Sequence, residues 1–394
     1  MKNLWITLPA YAPDYSGICS AFFDLGGISV VHDASGCTGN YTGYDEPRWF
    51  GTRSKVFCSG LREIDAVMGN DEKLLGNLIA AGEDIDPTVY AVIGSPVPMV
   101  IGSDMKGIAH ELEERTGVPA FGFDTNGLHL YDEGISEALC ALIRRFTEKP
   151  EETIPGGINV LGTNPLDFAN NGNDAMLTEA LEARGYRVMG KMMMGASIDQ
   201  IRKLASAEVN LVVSVSGFAA AELLERKYGI PYVAGNPVGS GEEVFSMIEQ
   251  TRADRKSRVI TDDASDGILI IGEQITANSL RRAIRNTCPG TGVTVALMTQ
   301  CQKALRGAGD VVLTDEDSVA SLLATGRFHT LIADPLFGEL PEAAGLELIS
   351  LPHSALSSKL CWDAAPHFIG EQTETIIRAA CESAAAAANG SSRK

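Results

Sequence analysis

The sequence predicts an α/β protein of mainly parallel sheets flanked by helices. Short apolar runs rich in Val and Ile alternate with longer amphipathic stretches, and the alternation persists along the chain. A length of 394 residues with 45% hydrophobic content exceeds one ordinary core and points to two or three domains. Polar, charged breaks at 148–157, which is also Pro/Gly-rich, and at 252–266 divide the chain into three α/β units, about 1–150, 151–258 and 259–394.

The first unit is organised around residues 15–43, YSGICSAFFDLGGISVVHDASGCTGNYTG. Residues 19–25 read as a helix, Gly26-Gly27 breaks it, and 28–32 read as a buried strand. A strand returning antiparallel to that helix places Cys19 and Cys37 at one sheet edge, with Cys19 at the helix amino end. Such a terminus lowers a thiol pKa, and the thiolate is the metal-binding form. Gly36 and Gly39 flank Cys37 and let backbone N–H groups approach an anion or a cluster sulfide. On spacing alone, two readings stay open for these cysteines: cluster ligands or buried free thiols. Further strands are expected at 89–93, 158–161, 209–215, 267–271, 293–298, 310–313, 330–333 and 346–351. Helices are expected at 103–116, 174–184, 218–228 and 279–287. The Ala-rich tail from 384 reads as a frayed helix end.

A formal charge of -19 argues against nucleic acid or anionic membrane as partner, because both require clustered Lys and Arg. No segment is long and apolar enough to span a membrane. The opening MKNLWITLPAYAPDY lacks the unbroken apolar stretch of a signal peptide, so a cytoplasmic location is expected, and the eight cysteines read as thiols or ligands. There is no G-x-x-x-x-G-K-[ST] and no G-x-G-x-x-G opening a helix after a strand, so no direct ATP or NAD site is expected. HExxH, CxxC and GxSxG are absent as well.

Gly36-Cys37-Thr38-Gly39, then CSGLREIDAVMGNDEKL from Cys58, then GSPVPMVIGSD from Gly94 occur in an order that resembles the nitrogenase component 1 superfamily. NVLGTNPLDFANNGND from Asn159, LVVSVSG and ELLERKYGIPY from Leu211 to Tyr232, and GILIIGEQ from Gly267 extend the resemblance over essentially the whole chain. It implies three Rossmann-like domains and a cluster at a subunit interface, with three cysteines per cluster-bearing subunit. Cys19 and Cys37 match the first two positions. Val97 stands near the third, so Cys58 is the substitute. A 4Fe-4S cubane takes four thiolates, and two chains supplying Cys19 and Cys37 close that count. A larger, P-cluster-like species needs Cys58 too. The implied partners are a second copy or a paralogous subunit and a separate ATP-hydrolysing iron protein.

The molybdenum–iron cofactor is not expected. Its cysteine ligand falls where this chain has Leu-Val-Val-Ser-Val (211–215), and its histidine ligand where Leu360-Cys361-Trp362 follow His353-Ser354. A cavity between domains is instead expected to take an organic substrate, a tetrapyrrole or a carbon–sulfur compound, or another metallocofactor. Met193, His353 and Cys361 are its candidate lining residues, with an ordinary buried strand as the alternative for Met193 and a structural hydrogen bond for His353. No catalytic residue is assigned. The favoured function is the electron-accepting component of a nitrogenase-like reductase; the alternatives are a cofactor-assembly scaffold or a cluster-free binding protein.

Overall fold

Short Val/Ile-rich runs buried on both faces favour parallel strands, and the computed structural model, which describes residues 5–49 and 55–391, arranges them in three parallel sheets. The first has the order β2-β1-β3-β4, with β1 Ile28–Val31, β2 Lys55–Cys58, β3 Tyr90–Ile93 and β4 Ala120–Phe123. The second runs β6-β5-β7-β8-β9, with β5 Gly157–Thr163, β6 Arg187–Met193, β7 Val209–Val212, β8 Tyr232–Ala234 and β9 Arg258–Val259. The third runs β12-β11-β10-β13-β14, with β10 Gly267–Ile271, β11 Val293–Leu297, β12 Val311–Val312, β13 Phe328–Ala333 and β14 Glu347–Ser350. Most connections between consecutive strands contain helices, as parallel crossovers require, whereas β11 to β12 and β13 to β14 are joined by short 3-10 turns.

Three local departures from the expected elements have physical causes. The first helix spans Asp14–Phe22 and starts five residues before Cys19, because Pro13 sits at its N-cap and Asp14 places a carboxylate in its first turn. The strand expected to reach residue 215 stops at Val212. Ser214 and Ser216 bond each other through their hydroxyls, and a Cβ on Gly217 would lie 2.7 Å from the Leu161 carbonyl carbon, so the chain turns tightly against β5. The helix expected from 279 begins at Gln274, because the Glu273 carboxylate accepts the N–H groups of Ile275 (2.9 Å) and Thr276 (2.8 Å).

One apolar cluster runs through all three units and includes Ile18, Ile135, Leu161, Leu269 and Leu331. Its first-unit part depends on close contact between the helices Asp14–Phe22 and Tyr131–Phe146. A Cβ on Gly17 would stand 2.0 Å from the Tyr131 carbonyl oxygen, and one on Gly134 would stand 2.1 Å from that of Asp14. No rotamer change relieves a clash with backbone. Gly17→Ala therefore destabilises the protein by about 3 kcal/mol, read as a shift in chemical-denaturation midpoint; an unchanged midpoint contradicts this packing.

Candidate functional site

Ligands of parallel α/β sheets bind outside the carboxyl ends of the strands. At that edge of the first sheet, the buried Asp33 follows β1. Its carboxylate accepts the N–H groups of Ser35 (2.9 Å) and Cys37 (2.8 Å). Its carbonyl accepts the Cys58 thiol (3.3 Å) and the Ser59 hydroxyl (3.2 Å). Ser95, buried at the exit of β3, donates to the His32 carbonyl at 2.9 Å. Ser35 holds φ at 140°, a region that disfavours side chains, and its bond to Asp33 retains that strained turn immediately before Gly36-Cys37. Cys37, Cys58 and Ser95 thus gather around one residue, Asp33.

Burial raises the Cys37 thiol above its ordinary range, opposed by hydrogen bonds with Tyr15 and Ser95. Ser95 is the side chain that the 94–100 segment turns to Cys37. Val97, two residues on, is 47% exposed. The sequence signal for Ser95 is its place directly after Gly94, where β3 ends.

Cys19 is placed differently from expectation. It lies in mid-helix, fully buried, and burial together with the Glu46 and Asp45 carboxylates pushes its thiol up rather than down. Tyr15, one turn earlier on the same helical face, stands toward Cys37. The loop after Cys37 is pinned back onto that helix. Ser16 donates to Asp45 (2.7 Å), Ser20 to Glu46 (2.9 Å), and buried Arg48 pairs with Glu46 (2.8 Å) and Asp24 (3.0 Å).

The three carboxyl edges meet in a buried polar centre. His353, after β14, shares its Nε2 with the Asp167 carboxylate (3.0 Å) and the Tyr131 hydroxyl (3.1 Å). Asp132 accepts the Gln300 N–H at 2.7 Å, and Glu273 accepts that of Val215 at 2.7 Å. Burial pulls His353 down, but the bond to Asp167 and the charges of Asp167, Asp334 and Glu273 outweigh it and raise its pKa. Burial pushes Asp132 and Glu273 up to about 7 each.

Between the cysteine edge and this centre lies a cavity of about 550 Å³. Tyr11, Tyr15, Tyr44 and Asp45 are among its walls. Tyr15 reaches from it to the Cys37 thiol, and Tyr11 packs edge-on against His353 with ring centroids 5.5 Å apart. Asp45 is raised to about 7 by burial. Sequence reasoning passed over Asp45 because nothing local marks it; its burial under Ser16 and Asn40 is tertiary. Met193 sits in the apolar core with φ at 107°, and Cys361 is half-buried among short turns. No hydrogen bond or ring contact among the described residues joins Met193, His353 and Cys361 into one pocket.

The donor set fits a cluster in part. Cys37 and Cys58 are half-exposed, and a Cβ on Gly36 or Gly39 would meet nothing within 4 Å, so the edge has room. The Gly39 N–H is already bonded to the Ser35 carbonyl, so this glycine offers space rather than a donor. Cys19 is sealed in the interior, so it is no accessible ligand. Among the described residues no three His, Cys, Asp or Glu side chains converge as a complete metal site within the chain.

The sequence model of the nitrogenase component 1 type oxidoreductase family matches residues 15–249. A nitrogenase iron-molybdenum cofactor biosynthesis protein, NifE, of Clostridium pasteurianum is 28% identical over 195 residues, covering 49% of this chain and 42% of the relative. The nitrogenase molybdenum-iron protein alpha chain of the same organism is 27% identical, with 54% and 41% covered. A light-independent protochlorophyllide reductase component of Nostoc punctiforme is 24% identical, with 48% and 38% covered. The matched region thus spans less than half of each of these relatives. The solved structure of nitrogenase Cp1 at pH 5 superposes with a TM-score of 0.68 at 16% identity, covering 98% of this chain and 89% of that one, which shows a shared fold.

The buried acids set a pH dependence. A carboxyl raised on folding is protonated in the folded state where the unfolded chain has released its proton. Its contribution is fully present below about pH 4 and is lost as pH rises through about 7. Asp132→Asn removes one such contribution, so between about pH 6 and about pH 8 its melting temperature falls less steeply than that of the wild type. Parallel slopes contradict the assignment.

Proposed function

The chain belongs to the nitrogenase component 1 type oxidoreductase family, and from that premise we propose that it is the electron-accepting component of a nitrogenase-like reductase. The observation that carries this reading is the cavity walled by Tyr11, Tyr15 and Tyr44, with the Asp45 carboxyl of pKa about 7 in its wall. A 4Fe-4S cluster shared between two subunits supplies single low-potential electrons when bound. Cys37 and Cys58 are its accessible ligands in each chain, and two copies, or this chain and a paralogous subunit, supply the four thiolates of a cubane. Cys19 from each chain would raise the count to six, enough for a larger cluster.

Exposed apolar side chains support a partner at this end of the molecule. Phe57 (39%), Ile64 (66%), Val67 (77%), Met68 (72%) and Val100 (87%) belong to the first unit, on or following β2, which carries Cys58, and β3, which Ser95 follows. Water-exposed side chains of this size are costly unless covered, and interface cores are built of them. The chain has no P-loop, which agrees with ATP hydrolysis by a separate iron protein.

Within the cavity, Tyr11, Tyr15 and Tyr44 supply flat apolar walls suited to an unsaturated organic substrate. Asp45 is the acid at the wall. A carboxyl near 7 keeps a substantial protonated fraction at neutral pH and re-protonates readily, as a proton donor to a reduced carbon must. His353, held by Asp167 and Tyr131, orients Tyr11 from behind. Several relatives are named as cofactor biosynthesis proteins, which favours a second reading: a scaffold with the same cluster and cavity but no turnover.

Three variants, read by iron content and by ATP turnover, test these readings. Anaerobically purified Cys37→Ser loses most of its iron, whereas Cys140→Ser, a buried packing position, keeps it. Asp45→Asn keeps its iron but lowers substrate-dependent ATP turnover with the cognate iron protein by about 10²-fold. Iron retained in Cys37→Ser overturns the ligand assignment. An iron-loaded wild type that never turns over leaves the scaffold.

A further inference from the structure

Two cysteines far apart in the chain, and outside the site described above, meet on the third unit. Cys288 ends the helix Gln274–Thr287, and Cys381 lies in the helix Glu371–Ser391. Both line one cavity of about 520 Å³, together with His329 and the Pro289–Gly292 turn. Both also belong to the apolar cluster that seats the C-terminal helix on the third sheet. Cys288 is half-buried and Cys381 is 8% exposed, so one thiol faces the opening and the other lies behind it. The sequence offers no hint of this pairing, because the two lie in separate elements without a metal-like spacing.

We propose that Cys288 and Cys381 form a reversible disulfide under oxidation by a hydroperoxide, tethering the C-terminal helix to the end of the helix Gln274–Thr287. In the first step the Cys288 thiolate attacks the distal oxygen of the peroxide. The O–O bond breaks, an alcohol or water leaves, and Cys288 becomes a sulfenic acid. In the second step Cys381 gives up its proton and attacks the Cys288 sulfur. The S–O bond breaks, water leaves and the S–S bond forms. Two electrons pass from the two sulfurs to one peroxide, and a dithiol returns them.

The order of the steps follows from the environment. Burial and the hydrogen bond with Cys288 push the Cys381 thiol up to about 12. A thiol so rarely ionised does not meet oxidant first, and it reacts only with a sulfur already held beside it. Cys288 therefore receives the oxidant and Cys381 resolves it. Cys301 and Cys361, also half-buried, serve as internal controls.

The test uses the full chain purified without oxygen and treated with graded hydrogen peroxide. Free thiols are blocked with N-ethylmaleimide, and peptides are identified by mass spectrometry with and without reductant. The expected result is a linked Cys288–Cys381 peptide, with both thiols lost together at doses that leave Cys301 and Cys361 alkylated. In Cys381→Ser, Cys288 is instead trapped by dimedone as the sulfenic acid. Cys288→Ser, at the half-exposed position where folding is least at risk, leaves Cys381 alkylated at the same doses. Oxidation of Cys288 without linkage in the wild type, linkage to any other cysteine, or full alkylation of both overturns the proposal.

Discussion

The Asp33 carboxylate fixes the edge on which the candidate site depends. Strand β1 delivers it to the carboxyl end of the first sheet, and its oxygens take up N–H groups that a tight turn would otherwise leave buried without partners. Holding Ser35 at a positive φ is the cost of that turn, and it positions Cys37 where β2 delivers Cys58. Without a hydrogen-bond acceptor at residue 33, nothing in the backbone obliges the two thiols to share an edge. The same carbonyl that accepts the Cys58 thiol accepts Ser59, so strand end and loop are tied to one point.

A second constraint shapes the interior. Three parallel sheets turn their carboxyl edges toward one another, so loop residues rather than strand residues fill the centre. Those loops and the first turn of the helix Tyr131–Phe146 carry Asp132, Asp167, Glu273 and His353, which bond across unit boundaries. Such a network is stable only when every member finds a partner, and one buried nitrogen, Nδ1 of His353, has none. The space left for a ligand is therefore displaced toward the surface, between Tyr15 and Tyr11, and does not coincide with the convergence of the units.

Period and composition made the sheets readable. The run 267–271 appears unchanged as β10, and Phe218–Tyr228 as a helix, because apolar alternation and a left-handed glycine at 229 act locally. The site was legible only as residue types. Cys37 and Cys58 could be named from the sequence, but the sealing of Cys19 comes from a helix start set by Pro13 and from the packing of Glu46 and Arg48, which are tertiary facts. Ser95 and Asp45 were missed for the same reason: a serine after a strand and an aspartate in a loop acquire chemistry only from what buries them. Met193, named as a soft ligand-facing candidate, lies buried in the apolar core.

The proposed metal site at the Asp33 edge needs two chains to complete it. Native mass spectrometry of protein made with a working cluster-assembly system and kept free of oxygen measures this directly. The predicted result is a two-chain species carrying about four iron and four sulfide, dissociating into chains when the metal is removed. A metal-free single chain under the same conditions contradicts it.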